Sequence, residues 1–366
     1  MRLLLAAALL TASTLAATPA SAQLTFADVT LEEALAQASA SGGGVLLDVY
    51  ATWCGPCQRL DEEVFPTTLA GEAAAGLVAI KLDAEAGEGP AIVERYHVVG
   101  YPTVLVLDAE GNEVDRIFGF LPAEEFASTL RSYRDGSGTI TALRAAVEAD
   151  PGDLERVLEL AERLAVRGEI DDARPHLDRV IAEDADNALG LRSRAHHFVG
   201  KYVYLRSQAN YARAVAEFDV VLTSFPDASE AMSCRIQRGI AQTRAGQTED
   251  ALASFEAAIA VAPDDSSLYN AIAWTLYRER AALDAAVAIA SRGLAVQPDD
   301  ASLWDTLAEV QFANGDAEGA RASIEEALRF EPDSAYYAAQ RARFGGGDAG
   351  EADAAEAGDD EGAAAP

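Results

Sequence analysis

The second half of the sequence repeats a turn signal at a nearly constant interval, and this periodicity limits the fold more than any other feature. The signals stand roughly 34 to 41 residues apart, at Pro151, Asp184-Ala185-Asp186, Pro226-Asp227, Pro263-Asp264, Pro298-Asp299 and Pro332-Asp333. Between them the apolar residues follow the pattern of paired amphipathic helices. A period of this length indicates helical hairpins that stack into an elongated array, because one hairpin alone cannot bury its apolar face.

Small and large packing residues occupy equivalent positions in successive units. The clearest unit has Trp304, Leu307, Ala308, Ala320, Ile324, Ala327 and Pro332, and another has Gly239, Ala251, Phe255, Ala258 and Pro263. In this pattern residues 153–341 resemble the tetratricopeptide repeat family, with about five units, although the first two units match it only in their second helices. The resemblance implies an all-α solenoid whose concave face binds a protein partner.

Two segments depart from the regular frame of the repeats. Residues 135–152 hold the linker Gly136-Ser137-Gly138 and then a stretch, Ile140–Ala149, that keeps the packing positions and is expected to form a capping helix. The unit between Asn187 and Pro226 is longer than the others and carries Lys201-Tyr202-Val203-Tyr204-Leu205-Arg206 in its middle. This insertion either changes the concave surface or forms a longer helix or loop with packed tyrosines.

Residues 23–134 show a different pattern, in which helical and strand-like segments alternate. The run 45–50 is apolar apart from one acid, which suits a strand buried on both faces. Further strands are predicted at 77–82, Thr103–Leu107 and Glu113–Phe118, and helices at 31–40, 54–63, 91–96 and 122–133. The turn at 109–112 makes the last two strands an antiparallel hairpin. This order, βαβ followed by ββα, predicts an α/β domain with a central mixed sheet and flanking helices.

The sequence Trp53-Cys54-Gly55-Pro56-Cys57 follows the first predicted strand directly, where a helix is expected to begin. Two thiols separated by two residues can close a small ring, and the dipole at a helix N-terminus favours the thiolate of the first one. We therefore expect Cys54 to attack a disulfide and Cys57 to resolve the mixed disulfide. Pro56 suits the first turn of a helix, because a backbone N–H at this position would have no hydrogen-bond partner within the helix.

Other roles for this cysteine pair are an inert structural disulfide and half of a metal site. A four-ligand zinc site needs further ligands at suitable spacing, and the chain offers Cys234 and the scattered His97, His176, His196 and His197. Cys234 stands among apolar neighbours in a repeat and is expected to be a buried core thiol. His196 and His197 are adjacent and point to different faces of a helix, which makes them poor joint ligands.

With its active-site sequence intact, the segment 23–134 resembles the thioredoxin family over a full domain length. The resemblance implies that Asp48, six residues before Cys54, is a buried acid that relays the proton of Cys57. Burial raises the pKa of a carboxyl and brings it towards neutral pH. Lys81 stands where the family has a lysine near that acid.

The same resemblance assigns a substrate-facing loop. Tyr101-Pro102-Thr103 matches the family loop whose proline is cis and faces the dithiol, so Pro102 is expected beside Cys54. Trp53, Tyr101 and Thr103 are expected to contact the substrate. Pro102 is expected to shape the backbone pairing with it.

Several features predict an exported protein. Residues 1–22 contain one basic residue and an apolar Leu/Ala run, and they end in small residues. This is the pattern of a cleavable signal peptide. The segments 62–65 and 83–85 depart from cytosolic thioredoxins and look more like exported relatives, including the soluble domain of transmembrane thiol reductases. We expect a periplasmic location, with a membrane thiol carrier as the electron donor.

The net charge of the chain limits the classes of partner that it can bind. It has 28 basic and 60 acidic residues, a formal net charge of −32, which repels nucleic acid phosphates and anionic lipid. Part of this charge lies in residues 342–366, an acidic segment rich in Gly and Ala that is predicted to be disordered. We therefore expect no nucleic acid partner.

The sequence predicts that the protein catalyses thiol–disulfide exchange on exported proteins. We expect this reaction to require no metal or organic cofactor. The Gly-Pro dipeptide between the cysteines resembles reducing members of the thioredoxin family, which favours a protein-disulfide reductase over an oxidase or isomerase. A different class of function is also open. In that case the helical array acts as an adaptor or assembly factor and the redox domain is an accessory module.

Overall fold

The computed structural model describes residues 23–345 of the chain. The predicted signal segment 1–22 and residues 346–366 of the predicted tail lie outside this range. The described part consists of a four-stranded mixed sheet with flanking helices, followed by a long run of helices. Among residues 23–345, no helix combines the length and apolarity that a membrane-crossing helix requires.

The α/β domain is built on one sheet with the strand order β2-β1-β3-β4. Its elements are α1 (Leu31–Ser41), β1 (Gly44–Tyr50), α2 (Gly55–Arg59), the π-helical segment π1 (Leu60–Val64), α3 (Thr68–Ala73), β2 (Leu77–Asp83), α4 (Gly89–Arg95), β3 (Thr103–Leu107), β4 (Glu113–Phe118) and α5 (Ala123–Arg134). β1 pairs in parallel with β2, and β3 is antiparallel to both β1 and β4. This is the βαβ and ββα arrangement that the sequence predicts.

β1 lies at the centre of the sheet because its residues can be buried on both faces. Leu46 packs with α5 on one side, and Leu47 packs with α1 on the other. Asp48 is the one charged residue of this strand, and it is buried with its neighbours. A central apolar strand with a single acid places that carboxyl inside the domain, close to the strand's carboxyl end, where α2 begins.

Two local features of the α/β domain differ from the prediction. The single helix expected over 54–63 is α2 followed by the π-helical turn π1. The short helix α3 was not predicted, because its six residues, Thr-Leu-Ala-Gly-Glu-Ala, are too few and too small to show an apolar period. α3 is held by its cap, since the Thr67 hydroxyl accepts a hydrogen bond from the Ala70 N–H at 3.2 Å.

The second part is an all-α array, as predicted. Among the described residues it contains the capping helix α6 (Ile140–Ala149), five helix pairs and a last helix. The pairs are α7 (Leu154–Val166) with α8 (Ile170–Glu183), α9 (Leu191–Phe198) and π2 (Val199–Ser207) with α10 (Tyr211–Ser224), α11 (Ala231–Arg244) with α12 (Thr248–Val261), α13 (Ser266–Arg278) with α14 (Leu283–Val296), and α15 (Ala301–Ala313) with α16 (Ala317–Phe330); α17 (Ala335–Gly345) follows. One continuous apolar core runs from α6 to α15, which is how stacked hairpins share their burial.

The start of the predicted disordered tail needs correction. Residues 342–345 are helical, because α17 continues to Gly345. Phe344 is fully buried, and its ring lies 5.0 Å from that of Phe312. The last turn of α17 therefore closes the end of the array instead of beginning the tail.

The insertion in the second helix pair is a longer helix with packed tyrosines, the second of the two interpretations offered above. π2 extends α9 by nine residues, and Tyr202 and Tyr204 are buried in the core of the array. At its end the Arg206 guanidinium donates a hydrogen bond to the Val99 carbonyl of the α/β domain. The insertion thus links the array to the segment just before Pro102.

A second contact between the two parts is centred on Asp115 of β4, which is only 1% exposed. Its carboxylate accepts hydrogen bonds from the Arg163 guanidinium of α7 and from the Ile140 N–H, the latter at 2.6 Å. Beside it, Arg167 donates to Glu113 at 2.7 Å. Both the start of the capping helix and the first array helix are therefore bound to the edge strand of the sheet.

Candidate active site

Cys54 and Cys57 stand at the junction between β1 and α2. Cys54 is the N-cap of α2, and its Sγ accepts a hydrogen bond from the Cys57 N–H at 3.2 Å. The two cysteines form a disulfide. They are 4% and 3% exposed and pack with Ala51. The prediction that the pair opens a helix after a buried strand is confirmed, and the cap geometry puts the first sulfur among the unpaired amides of the helix.

The acid predicted behind the dithiol is part of a three-residue charge cluster. Lys81 of β2 faces Asp48 across the parallel ladder, with its Nζ 3.3 Å from Asp48 Oδ2, and the same ammonium also contacts Asp61 of π1. The other oxygen of Asp48, Oδ1, is buried and has no hydrogen-bond partner among the described residues. Lys81 was anticipated from the sequence, whereas Asp61 was not.

Burial dominates the electrostatics of this cluster. It raises the pKa of Asp48 to about 6; the Lys81 charge works against this and the Asp61 charge adds to it. The aromatic rings of Tyr50, Phe26 and Phe65 lie 4.8 to 5.4 Å from Lys81 Nζ and keep this ammonium close to the acid. A carboxyl with a pKa near neutral and a free buried oxygen can accept a proton at working pH.

The loop Tyr101-Pro102-Thr103 lies next to the cysteines. The Tyr101–Pro102 peptide is cis, as the family resemblance implies, and Tyr101 packs against the group formed by Ala51, Cys54 and Cys57. Thr103 does not face outward. Its side chain is fully buried and its hydroxyl donates to the Gly100 carbonyl at 2.7 Å, so it holds the loop and is not placed to contact a substrate.

Trp53 receives contacts from both parts of the chain. Its ring N–H donates to Glu85 Oε1 at 2.8 Å, and the Tyr101 ring lies edge-on at 6.1 Å. From the array, α13 places the Trp274 ring 5.8 Å away and the Arg278 guanidinium 5.8 Å above the Trp53 ring. The two α13 residues were not predicted as part of the site. Their spacing of four residues indicates that they share one face of a helix, but it does not indicate which part of the protein packs against that face.

The remaining cysteine and histidines have structural surroundings. Cys234 is fully buried, as predicted, and burial raises the pKa of its thiol to about 12. His196 Nδ1 lies 2.7 Å from Glu217, whereas His197 Nε2 lies 2.9 Å from the Ser233 hydroxyl, so the two rings do point to different partners. Within residues 23–345 no three His, Cys, Asp or Glu side chains are grouped so that they could hold a metal ion.

Comparison with known proteins defines the class of the α/β domain. Residues 31–134 match the family described as thioredoxin-like domain, so this part of the chain is a thioredoxin-like domain. Among curated proteins, the thiol:disulfide interchange protein DsbD of Cronobacter sakazakii is 37% identical over 106 residues. That match covers 28% of this chain and 18% of the relative, so the chain spans less than a fifth of the length of such relatives.

Solved structures resemble each part separately. A putative disulphide-isomerase from Bacteroides thetaiotaomicron is 32% identical and covers 31% of this chain and 93% of its own, with a TM-score of 0.29. YrrB, described as a TPR protein with an unusual peptide-binding site, is 17% identical and covers 55% of this chain and 98% of its own, with a TM-score of 0.38.

Proposed function

We propose that this protein catalyses thiol–disulfide exchange on protein disulfides, with Cys54 as the nucleophile and Cys57 as the resolving thiol. The observation that carries the proposal is the position of the disulfide: it caps α2 at the end of the strand that holds the buried acid Asp48. The match of residues 31–134 to thioredoxin-like domains supports it.

In the reducing direction the cycle begins with both cysteines as thiols. The Cys54 thiolate attacks one sulfur of a client disulfide and expels the other, which leaves a mixed disulfide. Cys57 then loses its proton to Asp48 and attacks Cys54, so that the client's second sulfur leaves as a thiolate and the Cys54–Cys57 disulfide forms. Two electrons pass from the dithiol to the client, and Pro102 and Tyr101 line the approach to Cys54.

Reduction is the direction that we favour, and it requires a donor. The dipeptide Gly55-Pro56 between the cysteines is that of reducing members of the family, and the donor in this proposal is a membrane thiol carrier. Export to the periplasm is part of the same proposal and depends on residues 1–22. The similarity to thiol:disulfide interchange proteins supports exchange as the chemistry and leaves the direction to experiment.

The array, in this proposal, binds client proteins beside the redox centre. It belongs to the same chain and contacts the thioredoxin-like domain at Asp115, Val99 and Trp53, so a client bound to it is held close to Cys54. A bound client reacts faster, because binding keeps its disulfide close to Cys54 and the two groups need not meet by diffusion.

Equilibration of the full chain with glutathione tests the direction of exchange. We expect a reduction potential for Cys54–Cys57 near the ~−270 mV of thioredoxin; a value near the ~−120 mV of a strong oxidant would make the protein a disulfide donor instead. The Cys54→Ser variant is the control and must lose exchange. If a Cys54→Ser, Cys57→Ser double variant supports the protein's cellular role fully, the redox activity is accessory and the chain works as an adaptor.

A further inference from the structure

One rim of the redox centre is supplied by the helical array. Trp274 and Arg278 are one turn apart on α13, and both lie against the ring of Trp53, the residue that precedes Cys54. Tyr277, on the same face, packs 5.1 Å from Trp274 and donates its hydroxyl to Glu309 of α15 at 3.0 Å. Trp274 is therefore supported by Tyr277, which the next helix pair holds through Glu309.

α13 is held at this position because the array is attached to the thioredoxin-like domain elsewhere. α7 is bound to Asp115, and π2 is bound to Val99 through Arg206. The array therefore contacts the thioredoxin-like domain at α7, at π2 and at α13.

We propose that Trp274 and Arg278 are specificity-determining residues, which cover Trp53 on one side of the redox centre and keep folded domains away from Cys54 while extended polypeptide still reaches it. The inference rests on the proposed exchange activity. It identifies the clients as unfolded or locally extended segments that carry a disulfide.

The dimensions of the two kinds of client explain the selection. A folded partner needs roughly 800 Å² of surface on each side to dock stably, and α13 occupies the side of the centre at Trp53 that such a partner would cover. An extended segment needs only the width of one strand, about 5 Å. Such a segment can approach from the side of the Tyr101-Pro102 loop while α13 stays in place, whereas a folded domain must first separate Trp274 from Trp53.

The test compares two probes in single-turnover reactions of the pre-reduced full chain. One probe is a short unstructured peptide whose cysteine carries glutathione in a mixed disulfide, and the other is folded insulin. We expect Trp274→Ala to raise the rate with insulin about three- to tenfold, the size of one lost aromatic pair and its neighbouring contact, and to leave the peptide rate unchanged within about twofold. Arg278→Ala, which keeps the aromatic pair, should act in the same direction to a smaller extent.

Two variants serve as controls for Trp274→Ala. Trp274→Phe keeps a ring against Trp53 and should stay near the wild type. Trp304→Ala removes a tryptophan whose ring N–H donates to the Pro298 carbonyl within the array, and should leave the ratio of the two rates unchanged.

Each other outcome contradicts the proposal. Equal rates in wild type and Trp274→Ala would make the Trp53–Trp274 contact a packing contact only. An equal rise with both probes would make α13 an unselective lid, and a fall with both would make Trp274 a residue that clients need. Failure of the exchange chemistry itself looks different, because the wild type would then react with neither probe or Cys54→Ser would react as well.

Discussion

The buried carboxyl of Asp48 is expected to make the stability of the thioredoxin-like domain fall as the pH rises. Burial raises its pKa from an ordinary 3.8 to about 6 in the folded chain. Between these two values the folded state keeps a proton that the unfolded state has lost, so the cost of ionising Asp48 in place develops over this range and is complete above it. A shift of roughly two units corresponds to about 3 kcal/mol at neutral pH.

Replacing Asp48 with Asn removes that cost and keeps the shape of the side chain. Lys81 retains Asp61 as an anionic partner, so the substitution leaves no buried cation unpaired. We expect the free energy of unfolding of the oxidised protein to rise by about 3 kcal/mol at pH 7.5 and by less than about 1 kcal/mol at pH 4. Urea unfolding followed by tryptophan fluorescence at the two pH values measures the difference.

The dependence on pH is what separates this explanation from a general packing effect. A gain of the same size at pH 4 and pH 7.5 would refute it, as would a loss of stability at pH 7.5. Asp28→Asn, at an exposed acid of the same domain, is the matched control and should change neither value by more than about 0.5 kcal/mol.

Three further predictions concern other charged and buried groups. Because the Asp61 charge raises the pKa of Asp48, Asp61→Asn should move the midpoint of the pH profile for resolution of the mixed disulfide to lower pH; a midpoint that moves upward would contradict the cluster geometry. Arg163→Met leaves Asp115 buried without its closest cation and should destabilise the chain by about 3 kcal/mol in urea unfolding, whereas an unchanged midpoint would show that the pair contributes little. Phe344→Ala should cost about 3 kcal/mol, read from thermal unfolding by circular dichroism, and a cost under about 1 kcal/mol would mean that α17 does not close the array.

The sheet and the dithiol could be predicted because their signals are local. β3 and β4 have the predicted bounds, since the turn at 109–112 determines where one strand ends and the other begins. Asp48 stood out as the one acid in an apolar strand, and the spacing of Cys54 and Cys57 marked the start of a helix. In each case neighbouring residues contain the information.

Contacts between distant parts of the chain left no such signal. Trp274 looks like any aromatic residue on an amphipathic helix until α13 is seen against Trp53, and the Arg163–Asp115 pair joins residues 48 positions apart. Asp61 belongs to π1, whose geometry no apolar period reveals. Thr103, assigned to substrate contact by its place beside Pro102, is buried because the strand begins there and its hydroxyl is used within the loop.

The anchoring of Asp115 also bears on how such a chain can change over generations. Gene fusion can exchange whole domains. A domain is interchangeable only if its surface groups need no partners from the neighbouring domain. Here the edge strand keeps a carboxylate inside the junction, where α7 and the first amide of α6 satisfy it. A recombinant that receives this redox domain without α6 and α7 loses these partners of Asp115 and exposes the surface that the two helices cover, so the two parts are expected to be inherited together.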